Sequence, residues 1–491
     1  MKAEPDIASQ IQQRLEGMGS AVAGFIETLK SQSKSFWLAG GIVRDSAFNR
    51  EVNDVDIAAD FDPVALARDY ANSRGLGFVV LDEERRVARI VISEPRRIDI
   101  DIAKLTGETI EEDLANRDFT INAIALKPYG DGWAVIDPFD GIGDINQKAL
   151  RPVSAASIKA DPVRGVRAFR FSSTYGLSIL PDVVQQIKQS LPLISAIPGE
   201  RILAELLHIL NCDGGVSAFK EMAQCGLLFA LFPELDGTVG VTQNDWHHLD
   251  VFEHSIETVY ALEEEFCHDF PEWLNPWKDM VTASLNKEVS FGVTRLAVVK
   301  LAAILHDCGK PACRAVAEDG KVTFYGHEKT GETMAESAAK RLRLPNSAID
   351  GLKTLVKNHL RPFNAIADET ITKRAMYRYH RDLGEWAIAG IVLALADARA
   401  TKGPAVTEQR RETERLATRE LMAYIESETI AKTTQREPLL TGNDLMRELG
   451  LKPGPIIGKA LELLREAENV GEISSKEEAL ELVKQMLMDI R

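Results

Sequence analysis

Asp54 and Asp56, in "NDVDIAAD", are separated by one apolar residue and follow closely on the glycine pair of "WLAGGIVRD". In an extended strand, residues i and i+2 face the same side, so the two carboxylates project together. Parallel carboxylates repel each other unless a cation sits between them. Hard oxygen donors of this kind suit Mg2+, which is commonly held by one or two carboxylates and a substrate's phosphates. Gly40 and Gly41 open a turn whose backbone N–H groups can hold a phosphate, and Arg44 adds a charged grip one helical turn later. Together these parts describe a site for a nucleoside triphosphate and its metal. A third carboxylate comes from "RRIDIDIAKL", where Asp99 and Asp101 share a strand face. Asp101 is the favoured one, placed to deprotonate a 3′-hydroxyl or to share a second metal.

These side chains need a sheet to hold them. "SFWLAGGIVRDSAF" reads as strand, glycine turn and helix, and "NDVDIAAD" as a short strand. "GFVVLD", "RVARIVIS" and "RIDIDIA" alternate like strands of one sheet. Residues 5–34 read as one helix. "DPVALARDYANSRG" reads as another, with Asp62 as its cap and Pro63 at its first position. "TIEEDLANRDFTINAIAL" begins with a capping signature and is expected to continue as helix, its Phe119 and Ile121 packing in the core. "WAVIDPFDG" is a strand ending in a turn. Beyond about residue 155 the pattern is helix after helix.

The length of 491 residues exceeds one compact core and points to roughly three domains of about 150 residues. No apolar signal-like segment opens the chain, and the longest apolar run, "WAIAGIVLALADA", is too short for a membrane span. The five cysteines form no CxxC pair, which fits reduced thiols in the cytoplasm. A net charge of −16 argues against non-specific binding to polyanions, so any nucleic-acid surface must be local.

"GGIVRD…DVDI", followed by "EEDLANRDFTINAIAL", resembles the head of class II tRNA nucleotidyltransferases and bacterial poly(A) polymerases, members of the polymerase β-like superfamily. "DPVRGVRAFRF" (161–171) and "GERILAEL" (199–206) resemble the neck motifs of that family. The resemblance implies that Asp54 and Asp56 hold Mg2+ for addition of nucleotides to an RNA 3′ end. It also implies that Gly40, Gly41, Arg44, Asp45, Arg117, Asp118 and Asn122 line the nucleotide site. The family has Arg-Arg-Asp where this chain has Asn116-Arg117-Asp118. The neck's Glu-Asp-x-x-Arg appears here as Ala160-Asp161-x-x-Arg164. In the family, that Asp and Arg read the incoming base. Asp161 can only accept hydrogen bonds and Arg164 can only donate, which suits the amino donor and ring-nitrogen acceptor of cytosine and adenine. At i and i+3 on a helix the two are expected on one face, with Arg167 and Arg170 continuing it toward phosphates.

Further along, His254, His306-Asp307, His327, His359 and Asp397 occur in an order that resembles the HD-domain metal phosphohydrolases. Imidazoles and carboxylates of this kind hold divalent transition metals such as Mn2+, Co2+ or Ni2+. "KRAMYRYHRDLG" and "EQRRETERLATRE" read as solvated helix faces, with a basic surface for the tRNA acceptor arm as the alternative. "LLTGNDLMRELGLKPGPIIGKALELL" (439–464) resembles a C-terminal module of bacterial members, two helices around a Gly-Pro loop that brings backbone amides and Lys459 toward phosphate.

The expected fold class is therefore α+β: a nucleotidyltransferase head over residues 1–150, a helical neck over 151–235, a helical HD domain over 236–425, and a helical C-terminal module over 426–491 with a tRNA contact. The expected substrates are tRNA, CTP and ATP, with no membrane partner. CC addition is favoured over CCA addition. Only "AKLTGETI" separates Asp101 from the Arg-Asp motif, and the resemblance implies that CC-adding members lack the longer segment found there in CCA-adding ones. The rivals are a poly(A) polymerase, an HD phosphohydrolase with an RNA-binding head, and a non-catalytic tRNA-binding protein. The Asp54/Asp56 pair speaks against the last two.

Overall fold

The structure is a computed structural model that describes residues 7–94, 96–212, 214–364, 366–367, 370–433 and 438–489. The chain forms two compact units, Met1–Leu231 and Phe232–Arg491.

In the first unit, seven strands build one sheet: β1 (Phe36–Ala39), β2 (Asp54–Ala59), β3 (Gly77–Asp82), β4 (Val87–Ile92), β5 (Ile98–Lys104), β6 (Ala125–Tyr129) and β7 (Gly132–Ile136). Their order is β3-β4-β5-β2-β1-β6-β7. β2 and β5 run parallel, and the other neighbours run antiparallel. The apolar positions of the central strands fix the register. Val55, Ile57, Ile100, Ile102 and Ile90 are all buried, so a one-residue slip would turn them out of the core. That register sets Asp54 beside Asp99 and Asp56 beside Asp101. It sets Arg89 of β4 beside Asp101 on the other edge of β5. Side chains that oppose each other in a ladder share a face, so four aspartates and an arginine are brought to one side of the sheet.

Three local expectations are corrected. The N-terminal helix is two helices, Ile7–Gly17 and Ser20–Ser31, parted where Gly19 takes a φ of 95° that favours glycine. "TIEEDLANRDFTINAIAL" is not one helix. The helix Ile110–Ala115 is short, a single 3-10 turn covers Thr120–Asn122, and β6 follows. The cause is Asp118, whose Oδ1 accepts from the Phe119 amide at 2.7 Å and from Asn122 Nδ2 at 2.8 Å. This local pairing competes with the helical hydrogen-bond ladder. Phe119 and Ile121 are fully buried as expected, but in a turn. The third correction concerns Asp161. Pro162 follows it, and a residue before proline is pushed out of the α region. Asp161 accordingly has φ −145° and ψ 93°, and it lies between the helices Ser157–Ala160 and Val163–Tyr175. Asp161 and Arg164 therefore do not share a helix face.

The second unit is helical apart from short two-stranded pairings. The helices Val251–Glu263, Arg295–Leu305, Asn346–Asn358 and Ala387–Ala400 pack together. Ala387–Ala400 is apolar on nearly all sides, as a central helix must be. The basic stretches are not open cationic faces. Arg374 and Arg378 bind the buried Glu466 at 2.9 and 2.7 Å, Arg374 also binds Glu472 at 2.7 Å, and Arg381 binds Glu462 at 2.9 Å. Arg410 and Arg411 both bind Glu414. The arginines of "KRAMYRYHRDLG" thus fasten one helix to another, Pro455–Val470, while their side chains stay partly solvent-exposed, as a solvated helix face would. The C-terminal segment closes a small core around Leu445, Leu464, Ala467 and Val483. Among the described residues, no helix is long and apolar enough to cross a membrane.

Candidate active site

β1 ends at the glycine pair, which lies against the Asp56 side chain. The Gly41 amide donates to Asp56 Oδ2 at 2.8 Å. A Cβ on Gly41 would lie 2.9 Å from that oxygen, and one on Gly40 would lie 2.9 Å from Arg117 Nη1. Gly40 also has φ +77°. Both positions therefore need glycine for close approach, and Gly40 for its backbone as well. Burial pushes the Asp56 carboxyl above its usual range. Loss of solvent and the nearby Asp99 charge do the same for Asp54. Asp54 has no hydrogen-bond or ion-pair partner among the described residues. Two adjacent carboxylates, each strained toward protonation, suit a divalent cation.

Asp101 lies on the same face but is already engaged. Arg89 grips it with two hydrogen bonds of 2.7 Å, from Nε and Nη2, and reaches Asp99 Oδ2 with Nη1 at 3.2 Å. Arg97 also pairs with Asp99, at 3.1 Å. Arg89 gave no sign in the sequence.

Beside the glycine turn lies a cavity of about 360 Å³ that gathers nine of the expected nucleotide-site positions: Gly40, Gly41, Arg44, Arg117, Asp118, Asn122, Arg164, Arg167 and Arg170. Arg44 is held by Asn122 Oδ1 at 2.8 Å and by Asp45 and the Tyr175 hydroxyl on its other side. Asp45 accepts from Tyr175 as well and is an anchor for Arg44 rather than a wall of the cavity. Arg117 binds Asp113 at 3.0 Å and donates to the Asn122 carbonyl. Asp118 is buried against Arg167 at 2.9 Å, and that guanidinium helps hold its carboxyl below the usual range despite the burial. Arg167 and Arg170 both also bind the buried Glu205, at 2.8 and 3.1 Å. Arg164 donates to the backbone carbonyls of Arg117 and Asn116, fixing the helix Val163–Tyr175 to the turn that carries Arg117. Asp161 is the one neck residue the cavity does not gather; its Oδ2 accepts from Arg201 at 2.7 Å.

The second unit brings together all six of its expected residues. His254, the adjacent His306 and Asp307, His327, His359 and Asp397 come from five segments, and their ligand atoms form three overlapping groups of three, each within 4.8 Å. His254 Nε2 lies 2.9 Å from Asp397 Oδ1, His306 Nε2 3.1 Å from Asp307 Oδ2, and His327 Nε2 3.3 Å from Asp307 Oδ1. The Nδ1 atoms of His306, His327 and His359 meet the carbonyls of Ala303, Phe324 and Val356 at 2.7–2.8 Å. A carbonyl only accepts, so Nδ1 carries the proton when the ring is neutral, and the Nε2 lone pair faces the centre. Burial holds His359 down to about 3, keeping it neutral. For His306 burial acts the same way, but the Asp307 charge outweighs it and the net shift is upward. His306 Nε2 and both oxygens of Asp307 are buried without a hydrogen-bond partner. Lys310 Nζ does sit 2.6 Å from Asp307 Oδ2, but as an ion pair poorly aligned for hydrogen bonding. Buried nitrogen and oxygen lone pairs gathered in this way form a donor set that could hold a metal ion. A cavity of about 480 Å³ opens onto them, lined also by Trp246, His247 and Lys310. His247, with its ring 4.8 Å from that of His254, was not singled out in the sequence because it precedes the helix in a loop.

Three family models match the chain: "Poly A polymerase head domain" over residues 36–151, "Probable RNA and SrmB- binding site of polymerase A" over 176–238, and the tRNA nucleotidyltransferase domain 2 model over 323–483. An A-adding tRNA nucleotidyltransferase of Deinococcus radiodurans is 33% identical over 453 residues, covering 91% of this chain and 94% of the relative. The chain belongs to the tRNA nucleotidyltransferase family. A CC-adding tRNA nucleotidyltransferase of Geobacter sulfurreducens is 32% identical, covering 90% of each chain. The fold of the family is also seen in the solved complex of a CCA-adding enzyme with CTP, at a TM-score of 0.65 and 20% identity over 99% of this chain and all of that one. A mixed α/β head followed by a largely helical body is thus the architecture this nucleotidyltransferase shares with its relatives.

Proposed function

We propose that this nucleotidyltransferase adds cytidine residues to the 3′ end of tRNA in the cytoplasm, using CTP and no nucleic-acid template. The observation that carries the reaction is that Asp56 meets the glycine turn while the sheet register sets Asp54 and Asp56 side by side with Asp99 and Asp101. Asp54 and Asp56 would hold Mg2+, which supplies Lewis-acid stabilisation of the phosphate oxygens. The Gly40–Gly41 turn and Arg44 receive the triphosphate. The RNA 3′-hydroxyl attacks the α-phosphate, its proton passes to Asp101, a new P–O bond forms, and the α–β bond breaks to release pyrophosphate. Arg117, Asp118 and Asn122 shape the ribose side of the pocket, and Arg167 and Arg170 add positive charge beside it.

Asp161 and Arg164 are the proposed base readers. Asp161 would exchange Arg201 for the amino group of the incoming base. Asp161→Ala should therefore lower discrimination of CTP over UTP by about tenfold, since an unmatched polar edge costs about 1–3 kcal/mol. Competition assays would show this as misincorporation at an unchanged level of triphosphate binding. Unaltered selectivity would leave Asp161 as the salt-bridge partner of Arg201 alone.

The preference for CC addition rests on the connection from Asp101 to the Arg-Asp motif. Residues 105–109 link β5 to the helix Ile110–Ala115, and that helix holds them by side-chain hydrogen bonds. The Thr106 amide donates to Asp113 Oδ1 at 3.0 Å, the Glu108 amide to Glu112 Oε2 at 2.7 Å, and Thr109 Oγ1 caps Glu112. A link this short and this fastened has little room to reshape the pocket for a second base. A-adding activity is the second reading, favoured by the name of the Deinococcus relative. Purified protein should be given tRNA lacking its 3′ end, tRNA ending in C, and tRNA ending in CC, with each nucleotide alone. The expected result is two additions from CTP and little from ATP. Addition of A to the CC-ended substrate with no use of CTP would select the second reading.

We further propose that the second unit, within the four-part division read from the sequence, contains an HD-type phosphoesterase centre. His254, His306, Asp307, His327, His359 and Asp397 would hold a divalent transition metal, which supplies activation of water for phosphoester cleavage. Lys310 and His247 line its cavity and can hold a phosphate oxygen there.

A further inference from the structure

We propose that Arg89 is an internal counter-ion of the catalytic carboxylates, which keeps the metal out until the nucleotide arrives. The inference rests on the reading of Asp54, Asp56 and Asp101 as the metal and proton-accepting groups of the addition reaction.

Four aspartates on one sheet face repel one another, and a folded protein must answer that repulsion. Arg89 supplies the answer from within the sheet. Its register partner is Asp101, both oxygens of that carboxylate are taken by its planar fork, and its remaining nitrogen reaches Asp99. The surrounding acids hold its own charge firmly in place. A bidentate guanidinium–carboxylate pair is directional and short, so Asp101 has one orientation. It also occupies both Asp101 oxygens with N–H donors, so neither is free for a metal or for a hydroxyl group. The positive charge beside Asp54 and Asp56 lowers the pull of that pair on a divalent cation. Arg97 does not duplicate this role, because its partner is Asp99 and its side chain is largely exposed.

The nucleotide resolves the conflict. A triphosphate brings its own negative charge, restores the attraction for Mg2+, and offers the guanidinium an alternative anionic partner. Arg89 can then release Asp101 to the 3′-hydroxyl. Metal and nucleotide binding become coupled, and the free enzyme does not trap metal unproductively. In the nucleotide-free protein Arg89 is a positioning residue, acting through Asp101 and Asp99.

The test is Mn2+ binding to the full chain, followed by the electron paramagnetic resonance of unbound Mn2+, with and without a non-hydrolysable CTP analogue. Binding at the head is defined as the part lost in Asp56→Asn, which separates it from binding in the second unit. Without nucleotide, Arg89→Met should bind head Mn2+ about tenfold more tightly than the parent protein, and Arg89→Lys should stay close to the parent. With the analogue present, the three should converge. A purely structural role for Arg89 predicts equal or weaker Mn2+ binding in Arg89→Met, and that result overturns the proposal. If Asp56→Asn loses neither Mn2+ nor nucleotide addition, the reading of the metal site has failed instead. Should Arg89→Met not fold, Arg89→Gln keeps two donors without the charge and is held to the same outcome.

Discussion

Asp56→Asn should lower the rate of CTP addition by on the order of 10³-fold while tRNA binding and the thermal transition of the first unit stay close to the parent. The size follows from the several kcal/mol that a metal contributes by stabilising charge on a transferring phosphoryl group, at about 1.4 kcal/mol per factor of ten. Asparagine keeps the acceptor for the Gly41 amide, so the glycine turn should hold its shape. What disappears is the charge. The present carboxyl already lies above its usual range because of burial and the neighbouring acids, so the substitution removes repulsion in the metal-free protein. Stability should therefore not fall, and a modest rise is the expected direction. Asp54→Asn should show the same loss of rate with even less structural consequence, since Asp54 has no hydrogen-bond partner to lose. Single-turnover rates at saturating Mg2+ and CTP make the measurement. A variant retaining more than a tenth of the parental rate would remove Asp54 and Asp56 from the catalytic assignment.

How much of this site could be read from the sequence depends on whether a feature is local. The Asp54/Asp56 pair was legible because a strand has period 2 and the glycine turn stands close by in the chain. Arg89 was not, since its meaning comes from β4 lying beside β5 in a particular register. The helix after Ile110 stops although the apolar spacing continues, because Asp118 accepts the Phe119 backbone amide and the Asn122 side-chain amide in a local turn. Asp161 leaves the helix because Pro162 follows it, a constraint that is written in the sequence. The arginines of residues 373–384 looked like a basic surface because their partners, Glu462, Glu466 and Glu472, lie about ninety residues downstream. The histidine cluster was legible only as an ordered set of motifs. No spacing rule in one sequence brings His254 within hydrogen-bonding distance of Asp397, a contact made by helix packing.

Replacing both His306 and Asp307 with alanine should remove one equivalent of bound transition metal per chain and leave nucleotide addition within about twofold of the parent. The two centres belong to separate compact units, so loss of one has no chemical reason to touch the other. Asp307 is the hub of the second centre. It lies within 3.7 Å of His306, His327 and His359, and Lys310 Nζ lies 2.6 Å from its Oδ2. Without it the remaining imidazoles keep their backbone hydrogen bonds but lose the anion that draws a cation among them. The double substitution would also leave the buried Lys310 with its hydrogen bond to Gln243 but without its carboxylate partner, which costs stability. Asp307→Asn alone is the milder companion, since it preserves volume and a polar contact for Lys310. Both proteins should be purified with Mn2+ present and analysed for metal by elemental analysis, alongside hydrolysis of bis-p-nitrophenyl phosphate. Loss of metal and of hydrolysis together in both variants is the expected result. Metal content equal to the parent in a folded Asp307→Asn protein would show that the buried histidines and aspartates are a polar core, satisfied by their own protons and by Lys310, rather than a metal centre.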